Sequence, residues 1–171
     1  YMFRKSRSLV LLKEELEEVQ DYCRIYNIRN GIPLLVDMDV SKSEMLCKVP
    51  ILCIQTFVEN AIKYYGKNGQ MLQVRIQIRR IKKEDKKEFL KIRITDNGVG
   101  YTKENLDEFN KPVDKFVYKS SHVGIDNLKY RFKLIFENEA DIYFYNAPYS
   151  GAVVEMTIPV KEDDSDENIN N

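Results

Sequence analysis

A two-layer α/β sandwich of the α+β class, with a mixed, mostly antiparallel sheet and helices on one face, is what this sequence predicts. Three observations carry the prediction. Residues 72–78 and 89–95 alternate apolar and polar side chains with period two on either side of a charged turn at 82–87, the pattern of a half-buried hairpin. A second pair of strand-like runs, 141–145 and 153–160, flanks Pro148 and Gly151. Stretches of helical periodicity precede and separate these pairs, so strands meet as hairpins instead of alternating singly with helices.

The elements follow in order. From Ser8 a helical pattern places Leu12, Leu16, Val19, Cys23 and Tyr26 at spacings of four and three, among Glu14, Glu15, Glu17 and Glu18. It stops at Asn30-Gly31 before Pro33, a left-handed cap and a breaker. Residues 34–40 read as a half-buried strand and 41–48 as a turn. Pro50 suits the first turn of a helix running over 51–65 until Gly66 and the turn at 67–69. The hairpin comes next; after Gly100 a polar, lysine-bearing stretch runs to His122, and a helix is expected from about Ile125 to Phe136. No G-x-x-x-x-G-K-[ST] occurs, and no glycine fingerprint follows the first strand, so a doubly wound nucleotide fold is excluded.

Composition narrows the function classes. The chain has 171 residues, room for one domain with a real core, and its 27 basic and 27 acidic residues give no overall field toward nucleic acid. Cys23, Cys47 and Cys53 are odd in number and lack C-x-x-C spacing, which fits thiols in a reducing, cytoplasmic compartment. No apolar run is long enough to span a bilayer. Residues 1–10 read as the remnant of an upstream linker or dimerisation region, 11–160 as the domain, and 161–171 as an acidic, disordered tail. The start at Tyr1 suggests a piece of a longer protein.

Two segments carry the chemistry. In Asp96-Asn97-Gly98-Val99-Gly100, an acceptor-only carboxylate at a strand end is followed by Gly98 and Gly100, which let backbone approach a flat ring. Adenine offers an amino donor to such a group, whereas guanine would set a carbonyl against it at a cost of roughly 1–3 kcal/mol, so Asp96 points to ATP. A plain turn is the alternative, since Asp, Asn and Gly all favour turns. In Glu59-Asn60-Ala61-Ile62-Lys63, the polar residues share one helix side. Asn60 suits Mg²⁺ as one oxygen ligand beside phosphates; Glu59 suits orienting or deprotonating a water or attacking group, and Lys63 suits offsetting phosphate charge. The alternative is a solvated Glu59–Lys63 pair. The stretch carrying Lys103, Lys111, Lys115 and Lys119 reads as a lid. Gly124, with Asn127 three residues on, would open a helix toward phosphates, or be an ordinary glycine at a helix entrance.

These motifs resemble a known family. Residues 50–63 look like the N box of bacterial sensor histidine kinases of the LytS/YesM type, and residues 96–100 look like their G1 box. Glu14-Glu15-Leu16 with Arg29-Asn30-Gly31 resembles the helix leading into the domain, residues 127–132 the helix after the G2 box, and residues 151–159 the closing strands. The resemblance implies the Bergerat ATP-binding fold shared with GyrB, Hsp90 and MutL. It implies Asn60 on Mg²⁺, Asp96 on adenine, an ATP lid after Gly100, and Thr157 as a nucleotide-site residue. It also implies a γ-phosphoryl transfer to a histidine on an upstream dimerisation helix, a response regulator as partner, and a membrane-anchored homodimer with this domain on the cytoplasmic side of a bacterial inner membrane. Two departures stand out: His122 occupies the place of the first G2-box glycine, and nothing before Leu11 resembles the phosphoacceptor helix. His122, the sole histidine, is expected to serve the lid or the surface, not to accept phosphate. An interaction module that keeps the fold without binding nucleotide, and an anti-sigma-type serine kinase, are the rival readings.

Overall fold

The computed structural model describes residues 8–31, 33–65 and 70–162. In chain order the elements are β1 (Leu9–Leu11), α1 (Leu12–Asn30), β2 (Leu34–Val40), a short 3₁₀ turn (Lys42–Glu44), β3 (Lys48–Pro50), α2 (Gln55–Lys63), β4 (Leu72–Lys82), β5 (Glu88–Asp96), α3 (Lys103–Phe109), α4 (Val123–Phe136), β6 (Asp141–Asn146) and β7 (Ala152–Pro159). The main sheet runs β2-β4-β5-β7-β6, with β2 parallel to β4 and the other neighbours antiparallel.

Alternation decides which face is buried. Ile76 lies opposite Ile94 and Ile78 opposite Ile92, while Val154 and Met156 of β7 continue the same rows, so the apolar sides of three strands merge into one surface. Leu12, Leu16 and Val19 of α1, Phe57 and Val58 of α2, and Leu128 and Phe132 of α4 join those residues in one buried cluster. The other sheet face is charged: Arg79 meets Asp39 at 2.6 Å, and Glu155 takes Lys91 at 3.0 Å and Arg93 at 2.8 Å. This is the two-layer α+β arrangement expected from the hairpin pattern. Asn27 of α1 fastens that helix to the edge strand, with its carboxamide donating to the Leu34 carbonyl and accepting from the Leu34 N–H.

The local structure departs from the sequence reading in four places. Leu9–Leu11 is a strand, not the first turn of the helix, because it pairs antiparallel with β3, Leu9 opposite Pro50. Pro50 therefore closes a strand, and α2 begins only at Gln55 after a turn in which Leu52 takes a left-handed φ of 60°. The polar stretch after Gly100 contains α3, capped by the Thr102 hydroxyl, which accepts from the Asn105 N–H at 3.1 Å. Lys161 and Glu162, expected in a loose tail, are paired: the Lys161 carbonyl accepts from the Lys48 N–H, and Glu162 bridges to Cys47 and meets Arg80 at 2.5 Å. The remainder of the expected tail, residues 163–171, the first seven residues and the turn at 66–69 lie outside the described residues. All three cysteines are free and buried. Among the described residues, no helix is long and apolar enough to cross a membrane.

The charged face yields a pH prediction. Burial pushes the Glu155 carboxyl up, but bonds from Lys91, Tyr145 and Arg93 outweigh it and hold the group below the usual carboxylate range. Its folded-state pKa lies below that of the unfolded chain, so its stabilisation is complete above the unfolded value and is lost as pH falls through the folded one. Urea unfolding at a series of pH values should show the wild type losing stability between about pH 5 and 3 more steeply than Glu155→Gln.

Candidate nucleotide site

The site grows from the last residue of β5. Asp96 has the parity of Ile94 and Ile92, so its side chain turns toward the helical layer. Its Oδ1 accepts from the N–H groups of Gly98 at 2.8 Å and Ala152 at 3.1 Å, which fixes the carboxylate's orientation. Backbone crowds around it. A Cβ on Gly151, which has φ +107°, would stand 1.8 Å from the Asp96 carbonyl oxygen, and one on Gly98 would stand 3.0 Å from Asp96 Oδ1. Asn146 completes the knot, its Oδ1 accepting from the Tyr101 N–H at 2.7 Å and its Nδ2 donating to the Tyr101 carbonyl at 2.9 Å.

The facing wall is α2. Asn60, Ala61 and Tyr64 line a narrow cleft together with Asp96, Gly100 and Tyr101, and with Ile94 and Val154. The same cleft thus presents a carboxylate from β5 and a carboxamide from α2 among apolar side chains. Tyr101 packs edge-on against Phe109 and Phe144, centroids 5.4 and 5.9 Å away. Burial, and then the nearby Asp96 charge, push its phenol well up, so the hydroxyl keeps its proton. The start of α4 runs beside α2. A Cβ on Gly124 would meet Thr56 at 3.7 Å, and His122 Nδ1 lies 3.4 Å from the Tyr64 hydroxyl. Thr56, Asn60 and Tyr64 follow one another at intervals of four, so a single stripe of α2 faces both the cleft and the N-terminus of α4.

The expected site residues separate into groups. Asn60, Asp96 and Gly100 line the one cleft, and Gly98 holds Asp96 from behind. Gly124 borders the same stripe of α2. Asn127 turns to the segment between α3 and α4, where its Oδ1 accepts from the Val117 N–H at 3.0 Å. Glu59 and Lys63 are exposed and outside the cleft lining. They are also not joined as the sequence alternative had it: Glu59 takes the Gln55 amide at 3.0 Å and the Lys63 ammonium lies over the Tyr64 ring. Thr157 does not reach the cleft, and that expectation is corrected. It lies opposite Lys91 with the parity of Glu155, on the charged face of the sheet, while Val154 lines the cleft. Counting back from Val154 by two gives Ala152, the residue of β7 that does face the site, and that signal was available in the alternation. Gly151, Tyr101 and Asn146 were missed because their contacts are distant in sequence. His122 is the residue before α4, its ring edge-on to Phe109 at 4.6 Å.

The donor set suits a particular kind of metal. Among the described residues no group of three or more His, Cys, Asp or Glu could hold an ion. One carboxamide oxygen in an open cleft fits a hard cation whose remaining ligands are phosphate oxygens and water.

Residues 50–162 match the family described as histidine kinase-, DNA gyrase B- and HSP90-like ATPase. The chain belongs to this family. It is an ATP-binding domain of the histidine-kinase type. An uncharacterized sensor-like histidine kinase of Staphylococcus epidermidis is 26% identical over 160 residues, which cover 94% of this chain and 30% of that protein. The sensor protein kinase HptS of Staphylococcus aureus is 22% identical over 97% of this chain and 31% of its own length. The chain therefore spans about 30% of the length of these relatives. In fold it is similar to the Acinetobacter baumannii histidine kinase AdeS, with a TM-score of 0.60 and 16% identity over 90% of this chain and 67% of that one. It is likewise similar to the nucleotide-free catalytic domain of histidine kinase ThkA, with a TM-score of 0.57 and 20% identity over 88% and 93% of the two chains.

The crossing of β5 and β7 in this ATPase domain makes a sharp prediction. Gly151→Ala drives a methyl group into the Asp96 carbonyl and strains a left-handed residue, so it should cost about 3 kcal/mol or more in urea unfolding. Gly31→Ala is the control: it also has positive φ but nothing within 4 Å, and should cost only about 1 kcal/mol.

Proposed function

We propose that this chain is the catalytic ATP-binding domain of a two-component sensor histidine kinase of the LytS/YesM type, and that it binds ATP with Mg²⁺. The observation that carries the reading is that Asp96 and Asn60 line one cleft. Asp96 accepts from the adenine amino group, and the two N–H bonds to its Oδ1 keep the carboxylate aimed without a cost of reorganisation. Asn60 gives its carboxamide oxygen to the metal. Glu59, beside Asn60 at the exposed rim, orients a metal-shell water or the attacking imidazole, and Lys63 offsets phosphate charge from the next turn. Gly100 starts the lid, and Gly124 leaves the first N–H groups of α4 open to the phosphates. Bound Mg-ATP supplies the γ-phosphoryl group; the chain's own residues contribute position and charge compensation, which dominate such transfers.

The transfer is to a histidine on an upstream dimerisation helix of the same protein, and a response regulator receives the group next. The whole protein is a membrane-anchored homodimer with this domain in the cytoplasm of a bacterium. The sensor-kinase names of the relatives support this context, and the match of the N-box and G1-box segments supports the subtype.

The deciding experiment is a titration with a fluorescent ATP analogue. Wild type should bind saturably, in competition with ATP and not GTP, and more tightly with Mg²⁺. Asp96→Asn can keep both backbone bonds through its carbonyl oxygen while turning an NH₂ toward the adenine amino group. It should stay folded by circular dichroism yet lose affinity by roughly 1–3 kcal/mol, about five- to a hundredfold. An Asp96→Asn chain that binds as well as wild type, or no wild-type binding at millimolar nucleotide, would sink the proposal.

A further inference from the structure

A buried carboxyl group stands outside the residues that line the cleft. Glu15, in the first turn of α1, is 1% exposed. Its Oε2 accepts from the Leu52 N–H at 2.9 Å, and its Oε1 accepts from the N–H groups of Ile54 at 2.9 Å and Gln55 at 3.3 Å. A residue nearly forty positions away thus caps the head of α2, which has no side-chain cap of its own. Arg131 of α4 closes the arrangement, donating to the Ile51 carbonyl at 2.8 Å with its charge near Glu15.

The cap reaches the metal end of the cleft in two short steps. Leu52, left-handed at φ 60° and bonded through its N–H to Glu15, presents its carbonyl to the Thr56 hydroxyl at 2.7 Å and to the Thr56 N–H at 3.2 Å. Thr56 lies one turn before Asn60 on the same stripe of α2. Burial penalises the carboxylate, and its pKa is raised despite the three N–H bonds. A carboxylate kept at that disadvantage is poor evidence of a stabilising device and fits a geometric one.

We propose that Glu15 is a positioning residue for the metal end of the site: through the Leu52 turn it sets the rotation and height of α2, and so where Asn60 presents its oxygen. Asp96 belongs to the β5–β7 knot and does not depend on Glu15. Because Glu15 rides on α1, the placement of that helix is transmitted to the metal ligand and not to the adenine contact. This inference rests on the Mg-ATP reading of the cleft.

Glu15→Gln separates the two ends. Its carbonyl oxygen can keep Ile54 and Gln55, but its NH₂ then faces the Leu52 N–H, donor against donor, and the left-handed turn is released. Nucleotide affinity is measured with Mg²⁺ and with EDTA. Glu15→Gln should cut the Mg²⁺ enhancement of ATP binding about tenfold, the effect typical of losing an outer partner of a metal ligand. Its Mg²⁺-free affinity should match wild type. Adding Leu52→Gly, which accepts left-handed φ without a Cβ penalty, should restore part of the enhancement. In the wild-type chain itself, hydrogen exchange at the Leu52, Ile54 and Gln55 amides should slow further with Mg-ATP than with ATP in EDTA; this reads the same coupling even where Glu15→Gln does not fold. Equal loss of affinity in both conditions marks a merely structural role and overturns the inference, as does unchanged exchange at those amides. A wild-type enhancement that Glu15→Gln retains overturns this inference alone, whereas a wild type with no Mg²⁺ enhancement removes the metal reading beneath it.

Discussion

The point on which the site depends is the crossing where β5 ends and β7 begins. The Gly151 backbone approaches the Asp96 carbonyl so closely that no side chain fits between them, and the two N–H groups on Asp96 Oδ1 come from either side of that crossing, Gly98 and Ala152. A carboxylate in a partly apolar cleft would ordinarily move to regain hydration. Here one oxygen is spent on backbone donors, so the carboxylate orientation is set before any ligand arrives. Asn146 extends the same logic by pinning Tyr101 from both its N–H and its carbonyl, which keeps the chain leaving Gly100 against the rim of the cleft.

The opposite wall is held by different physics. The Asp96 side is organised by strand geometry and glycine, while the head of α2 is bonded to the buried Glu15. A hydrogen bond from the Val99 N–H to the Tyr65 carbonyl, just past α2, joins the two walls at 3.3 Å, together with apolar packing in which Phe57 of α2 meets Phe144 of β6 edge-on at 5.7 Å and Val154 also lines the cleft. Apolar contact is non-directional, so it fixes the separation of the walls while leaving each polar group to be aimed by its own support.

Most of the sheet was legible because burial on one face imposes a period of two that a reader can count. The β4–β5 hairpin follows from Val74, Ile76 and Ile78 against Ile92 and Ile94, whereas β6 and β7 were visible as two strand-like runs parted by Pro148 and Gly151. Asp96 and Asn60 were legible as chemistry, since each is a polar residue set in an apolar pattern that packing does not call for. What failed depended on long-range contact. Pro50 reads equally well as a helix start or a strand end, and only Leu9, forty-one residues earlier, decides the matter. Thr157 was placed on the wrong face because resemblance supplied a residue type without its parity in the strand. α3 was hidden by polarity: with Lys103, Glu104, Asp107 and Glu108 outward, it has one deeply buried side chain, Phe109, too little for a periodic signal. Glu15 entered only as part of the resembling Glu14-Glu15-Leu16, and its burial was hidden, since an acidic residue in the first turn of an acidic helix looks solvated until its partners at 52, 54 and 55 are known.

Attachment is uneven along the segment between Gly100 and Gly124, and that unevenness bears on how a ligand enters. Its first half is fastened like core: Phe109 is 1% exposed, Asn110 bonds both the N–H and the carbonyl of Phe144 at 2.9 Å, and the Lys129 ammonium donates to the carbonyls of Phe109 and Lys111 at the end of α3. That ammonium is desolvated enough for its pKa to fall below the ordinary lysine range, the sign of a group committed to its two carbonyls more than to water. The second half is held by lighter bonds: the Val117 N–H on Asn127, the Ser120 hydroxyl on Asp126, and the half-exposed Phe116 ring against Tyr130. Freeing α3 would expose Phe109 and strand two carbonyls, whereas freeing residues 113–121 breaks a few part-exposed bonds that water can replace. The backbone therefore yields at least cost beyond Pro112, and His122, wedged between Phe109 and Tyr64, marks the point where that lighter segment is tied back to the wall of the cleft.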